Sequence, residues 1–164
     1  RLFGLAMSGT ELMVVATNCG FVGAGATCGA LSRYGVAELA KCTAIGRANP
    51  HLATFTVNVV GSFVLGCLAG IVTPGSPGVL LVGTGFCGAF TTFSTYAVDA
   101  YKLAHAGSLP AAAAYVAASN VLAIGAVAAG MRLTSSPATA AAAHRWSTSR
   151  PSLQRIFPLR SPKV

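Results

Sequence analysis

The chain has 164 residues, 54% of them hydrophobic and only 9% charged, with a mean hydropathy of +0.67 and a net charge of +8. A water-soluble domain carries about 25% charged residues, so three acids and eleven Lys/Arg cannot cover an aqueous surface, while the apolar content is too high for a chain disordered throughout. The length suits about one domain, and the class that remains is a small polytopic membrane protein.

Residues 1–11 read as an N-terminal segment too short for a convincing signal peptide. A spanning helix needs about 20 apolar residues. Leu12 to Ser32 carries no charge, and neither does Ala48 to Val98. The second stretch is too long for one span and is divided by Thr73-Pro74-Gly75-Ser76-Pro77-Gly78, through which no helix runs unbroken. Leu103 to Met131 is the fourth charge-free stretch, with Pro110 placed at a helix start. The expectation is an all-α membrane protein with four transmembrane helices at roughly 12–34, 51–72, 78–104 and 110–132, and one four-helix domain over 12–133. From Thr134 the composition turns to Ser, Pro, Ala and Arg, so 134–164 reads as a disordered basic tail. Such a tail either is simply solvated or touches anionic lipid. A nucleic-acid role is unsupported, because no folded domain or aromatic interleaving accompanies the charge.

Cys19, Cys28, Cys42, Cys67 and Cys87 show no CxxC or Cys/His ligand spacing and read as small packing residues. Four spans put both termini on one side, with Arg1, Arg132 and the tail, against Arg33, Lys41, Arg47 and Lys102 on the other. This bias is too even to fix an orientation. Small residues recur four apart at Gly25/Gly29, Gly66/Gly70 and Ala126/Gly130, a spacing that lets helix backbones touch. They serve either packing within the subunit or a dimer seam. Four helices leave little room for a central hydrated path, which favours a dimer.

No ionisable residue falls deep in a predicted span; Arg33 and Asp99 lie near span ends. Proton-coupled antiport of drugs, which needs a titrating acid in the membrane, is therefore disfavoured. Uncharged hydrogen-bonding groups are present instead. Thr54, Asn58 and Ser62 share one face of the second helix, and Tyr115 and Ser119 one face of the fourth. An amide in hydrocarbon is costly without partners, so Asn58 either bonds between helices or lines a polar path. In the third span, Gly85-Phe86-Cys87-Gly88-Ala89-Phe90-Thr91-Thr92-Phe93-Ser94-Thr95-Tyr96 puts glycines and a hydroxyl cluster mid-membrane, which points to a broken helix. Irregular backbone at that depth must be buried or line a cavity. Its carbonyls suit a cation, a half-helix N-terminus suits an anion, and the ring edges of Phe93 and Tyr96, on one face, can meet an anion.

This third-span run resembles the signature of the CrcB/Fluc fluoride channels. Gly25-Ala26-Thr27-Cys28-Gly29-Ala30-Leu31-Ser32-Arg33-Tyr34 resembles the first-helix pattern of that family, Thr54-Phe55-Thr56-Val57-Asn58-Val59-Val60-Gly61-Ser62-Phe63 its second-helix pattern, and Tyr115…Ser119 its fourth-helix pair. The resemblance covers about residues 20–132. It implies a multi-pass protein of the cell membrane that forms antiparallel, dual-topology dimers. Two narrow fluoride pores would run along the interface, with a central structural sodium ion (Na+) held by third-helix carbonyls. Carried over by motif, sodium would bind at Gly88 and Thr91, and the pore would be lined by Asn58, Phe93, Tyr96, Thr54, Thr95, Tyr115 and Ser119. Arg33 and Asp99 take structural or vestibule positions.

Ala26, Ala53 and Ala89 stand where the family has glycine, Tyr96 where it usually has phenylalanine, and Ala123 where it has a second fourth-helix hydroxyl. The implied partners are fluoride, membrane lipid and a second copy of the chain or a sister subunit, with no nucleic acid. The implied function is passive, fluoride-selective export that relieves fluoride toxicity. No nucleophile, base or catalytic metal constellation suggests an enzyme. The alternatives are a non-conducting or half-active subunit that needs a homologous partner chain, and a small four-helix cation or drug exporter.

Overall fold

The computed structural model describes residues 8–72 and 76–135. Residues 1–7 of the N-terminal segment and 136–164 of the basic tail lie outside the described residues. The elements are all helices: α1 (Gly9–Lys41), a short α2 (Ala44–Ala48), α3 (His51–Ile71), α4 (a π-helix over Val79–Cys87 closed by an α turn over Gly88–Phe90), α5 (Phe93–His105) and α6 (Leu109–Thr134). Four runs are long and apolar enough to cross a membrane: Gly9–Lys41, His51–Ile71, Val79–His105 and Leu109–Thr134.

The second, third and fourth spans fall within a few residues of the expected bounds. The first starts earlier and ends later. Ser8 caps it through a reciprocal pair, in which Ser8 Oγ accepts from the Glu11 N–H at 3.3 Å and Glu11 Oε2 accepts from the Ser8 N–H at 2.8 Å. At the other end Lys41 Nζ meets Glu38 Oε1 at 2.6 Å, so the helix carries its charges past Arg33 as a local pair. With 33 residues α1 is about 50 Å long, more than the ~30 Å of bilayer core. Thr43 Oγ1 accepts from the Gly46 N–H at 3.0 Å and so starts α2 directly after α1.

α1 packs mainly on α4 and α3 mainly on α6, with α5 against α6. Both main contacts are built on glycine. A Cβ on Gly25 would run into Leu81 O of α4, one on Gly29 into Phe86 O, and one on Gly85 would come 2.6 Å from Val22 O. Across α3 and α6, a Cβ on Gly66 would strike Val127 O, and one on Gly130 would come 2.5 Å from Phe63 O. The Gly25/Gly29 and Gly66/Gly70 pairs and Gly130 are buried, so their close approach is used inside the subunit. The choice between internal packing and a dimer seam therefore goes to internal packing for these glycines.

The third run is irregular. The Gly88 N–H reaches back to Gly83 O, five residues away, which is the wide π winding. The side-chain-free Gly85 fits this wide coil against α1. The helix then stops. Thr91 (φ −84°, ψ 161°) and Thr92 (φ −153°, ψ 120°) are extended, and a new helix begins at Phe93.

The packed core is small: Val57, Cys87, Phe90, Ala112 and Tyr115, with Thr54 and Ser119 as its buried polar members. Large apolar side chains on all four spans are exposed, among them Leu12, Leu31, Val60, Ile71, Val121 and Ile124. Such a surface suits hydrocarbon rather than water.

Candidate functional site

Two extended residues in a helical run leave main-chain groups without helical partners, and the site is built around how these are satisfied. The Thr91 N–H still bonds Cys87 O at 3.0 Å, and Thr91 Oγ1 donates to the same carbonyl at 2.8 Å. The Thr92 N–H, which a continuous helix would send to Gly88 O, goes instead to Asn58 Oδ1 at 2.8 Å. Asn58 Nδ2 returns a bond to Thr92 O at 3.1 Å. The amide of α3 thus takes the place of a neighbouring backbone. Thr92 Oγ1 then accepts from the Thr95 N–H at 3.2 Å and caps α5. The N-terminus of α5, the positive end of its dipole, opens at the break.

The Gly88 carbonyl is left without its helical donor, and a Cβ on Gly88 would meet nothing within 4 Å. The Thr91 carbonyl accepts a long 3.4 Å bond from Arg33 Nη1, which leaves it a lone pair. Carbonyl oxygens freed in this way fit a hard, oxygen-seeking monovalent cation such as sodium. Among the described residues no group of three or more His, Cys, Asp or Glu is placed to hold a metal.

A cavity of about 340 Å³ adjoins the break and is lined by Asn58, Ser62, Gly88, Thr91, Thr92, Phe93, Tyr96, Ser119, Asn120 and Ala123 among others. None of its lining residues is charged. A second cavity of about 300 Å³ meets the break at Thr92 and is lined by Arg33, Tyr34, Thr54 and Thr95. Rings form a row beside the first cavity: Phe93 to Tyr96 (centroids 5.7 Å), Tyr96 to Tyr115 (5.5 Å) and Tyr115 to His51 (5.3 Å, edge-on). Phe93 is 80% exposed. Among the described residues the buried hydroxyls of Tyr115 and Ser119, one helical turn apart, have no hydrogen-bond partner beyond each other. Buried polar atoms are nearly always paired, and when one of these hydroxyls donates to the other, the second keeps its proton for a guest.

The residues expected from sequence therefore gather at the two cavities, with Asp99 joined to the second through Thr54. Asn58, Gly88, Thr91, Phe93, Tyr96 and Ser119 meet at the first cavity, and Tyr115 belongs to the ring row beside it. Arg33, Thr54 and Thr95 face the second cavity. Thr54 Oγ1 donates to Asp99 Oδ2 at 2.7 Å, which ties α3 to α5. Arg33 and Asp99 were expected near span ends; Arg33 sits about two turns before the end of α1, and Asp99 in mid-α5. Two residues of the site escaped the sequence reading. His51 closes the ring row, and Asn120 donates from Nδ2 to Tyr96 Oη at 2.9 Å. For Asn120 the signal was present: it is an amide in an apolar helix, the same argument that singles out Asn58.

Residues 20–131 match the model of the family described as CrcB-like protein, Camphor Resistance (CrcB). The chain belongs to the CrcB family. Similar proteins include a fluoride-specific ion channel FluC of Rhodospirillum centenum, 42% identical over 118 residues, which covers 68% of this chain and 90% of the relative. A fluoride-specific ion channel FluC 1 of Frankia casuarinae is also 42% identical over 118 residues, covering 67% of this chain and 90% of the relative. FluC 1 of Nitrobacter hamburgensis is 35% identical over 117 residues, with 68% and 90% covered. The CrcB match runs from within α1 to within α6 and so takes in both cavities and the break. With four apolar spans, this CrcB chain is a multi-pass membrane protein.

Proposed function

We propose that the chain is a fluoride-selective ion channel, not an enzyme, through which fluoride leaves the cell passively and fluoride toxicity is relieved. The relatives named fluoride-specific channels align over 90% of their length and support this reading. The observation that carries it within the chain is the chemistry of the first cavity: amides, hydroxyls and ring edges gathered at one place, with no charged side chain in the lining.

Fluoride is small and strongly hydrated, so a pore must replace its water with hydrogen-bond donors and stay narrow enough to exclude larger halides. The buried hydroxyl pair of Tyr115 and Ser119, the α5 N-terminus and the edges of Phe93 and Tyr96 supply donors of that kind. A fixed buried cation would bind the ion too tightly to let it go. A carboxylate-driven exporter of drugs or cations finds no acid at this cavity.

In this reading two antiparallel copies in dual topology bring their breaks together mid-membrane. Phe93, 80% exposed, would be covered by the partner. The Gly88 and Thr91 carbonyls of each copy would then supply four oxygens to a structural sodium ion. That ion offsets carbonyls which the break frees, and need not move with fluoride. Tyr96, with its hydroxyl, and Ala123, without one, both line the cavity and support a second reading, in which this subunit conducts only beside a sister chain.

Growth of a bacterial strain that lacks its own fluoride exporter tests the function. Expression of this chain restores growth on millimolar fluoride. Continued fluoride sensitivity with the chain present in the membrane would overturn the reading for the chain alone, and rescue only with a sister subunit would favour the second.

A further inference from the structure

Asn120 has two amide hydrogens and both are placed. Nδ2 lies 2.7 Å from Val116 O and 2.9 Å from Tyr96 Oη. A main-chain carbonyl only accepts, so the NH₂ end of the amide must face it, and this fixes the orientation of the group. The same nitrogen has no lone pair to offer Tyr96. The Tyr96 oxygen therefore accepts, and its own proton is free to donate. Among the described residues no acceptor is recorded for that proton.

The direction of this bond matters because of where it lies. Tyr96 and Asn120 both line the uncharged cavity at the break. A hydroxyl that accepts one hydrogen bond is polarised and becomes a stronger donor in the next. Asn120 is exposed, and so is Ile124, one turn on along the same helix face, at 70%. An amide left in hydrocarbon is expensive, so this one belongs to the polar cavity rather than to lipid.

We propose that Asn120 is a positioning residue for anion passage. It holds Tyr96 Oη as an acceptor and so aims the Tyr96 proton into the cavity as a donor to the passing anion. The inference rests on the fluoride-channel reading and adds to it a specificity-determining pair, Asn120 and Tyr96, in which Tyr96 touches the ion and Asn120 acts through it.

The test is a double-mutant cycle on the full chain in liposomes, read as fluoride efflux with a fluoride electrode. Asn120→Leu is expected to slow efflux about tenfold when Tyr96 is present. On the Tyr96→Phe background, where no hydroxyl remains to be oriented, the further loss from Asn120→Leu is expected to be under about threefold. A structural role for Asn120 would give equal losses on both backgrounds, and that result would overturn the proposal. So would unchanged efflux in Asn120→Leu. If Asn120→Leu fails to assemble, Asn120→Ser takes its place in the same cycle. If the unmodified chain releases no fluoride, alone or with a sister subunit, the channel reading itself fails and this inference with it; efflux from the unmodified chain with an additive cycle sinks the inference alone.

Discussion

The Asn58 carboxamide forms a two-bond ring with the main chain of Thr92, accepting from its N–H at 2.8 Å and donating to its carbonyl at 3.1 Å. A side chain of α3 thus does for Thr92 what a neighbouring helical turn does elsewhere. Asn58 holds the break open before it does anything for an ion, and only one of its two amide hydrogens is left over.

Loss of that ring should be felt in stability as well as flux. Asn58→Leu leaves two main-chain groups of Thr92 unpaired and should lower stability by about 2–4 kcal/mol, read as thermal unfolding in detergent. Asn58→Asp keeps the bond from the Thr92 N–H but turns the other into an oxygen facing an oxygen, and places a negative charge at the cavity. Fluoride efflux should fall more than about a hundredfold. Normal efflux from Asn58→Asp would remove this cavity from the ion path.

Phe93 should separate the two roles. Its ring is 80% exposed, so its truncation removes little packing within the subunit. Phe93→Ile should nearly abolish efflux while size-exclusion profiles and thermal unfolding stay close to those of the unmodified chain. A fall in stability equal to that of Asn58→Leu would mean that Phe93 is a packing residue.

Gly29 should tolerate no side chain. A Cβ there would meet Phe86 O of the π-helical segment, a backbone atom that cannot rotate away. Gly29→Val should separate α1 from α4 and cost about 1–3 kcal/mol or more. Gly20→Val, on the same helix where a Cβ meets nothing within 4 Å, is the control and should unfold at nearly the original temperature.

The bond between Thr54 and Asp99 makes an asymmetric prediction. Thr54→Val leaves the Asp99 carboxylate without its donor and should destabilise by about 1–3 kcal/mol. Asp99→Asn keeps an acceptor for Thr54 Oγ1 and should cost less. Thermal unfolding of the two variants side by side decides it; an equal loss would mean that the charge of Asp99, rather than its acceptor oxygen, holds the contact.

The four spans were legible because charge is expelled from hydrocarbon, and the runs from Leu12, Ala53, Gly78 and Leu103 carry almost none. Their ends were less so. α1 runs on to Lys41, past Arg33, with Glu38 and Lys41 paired on its surface, a local compensation that charge counting misses. The glycine pairs announced a close approach but not its partner, since Gly29 reads the same against α4 of its own chain as against a second subunit. Gly85 and Gly88 signalled an irregular third span, yet nothing in their spacing distinguishes a π winding from a simple break. Asn58 was recognised as polar and costly; its partner, the backbone of Thr92, is 34 residues away and has no side-chain signature. Asn120 follows Ser119 directly and lies off the Tyr115/Ser119 face that gives the fourth helix its polar pattern.

The central claim is that uncharged donors around the Thr91–Thr92 break replace the water shell of the smallest halide. The most direct measurement compares fluoride with chloride efflux from one preparation of liposomes under an applied potential, each ion followed by its own electrode. The account predicts rapid release of fluoride with chloride retained. Release of both halides at similar rates would contradict it.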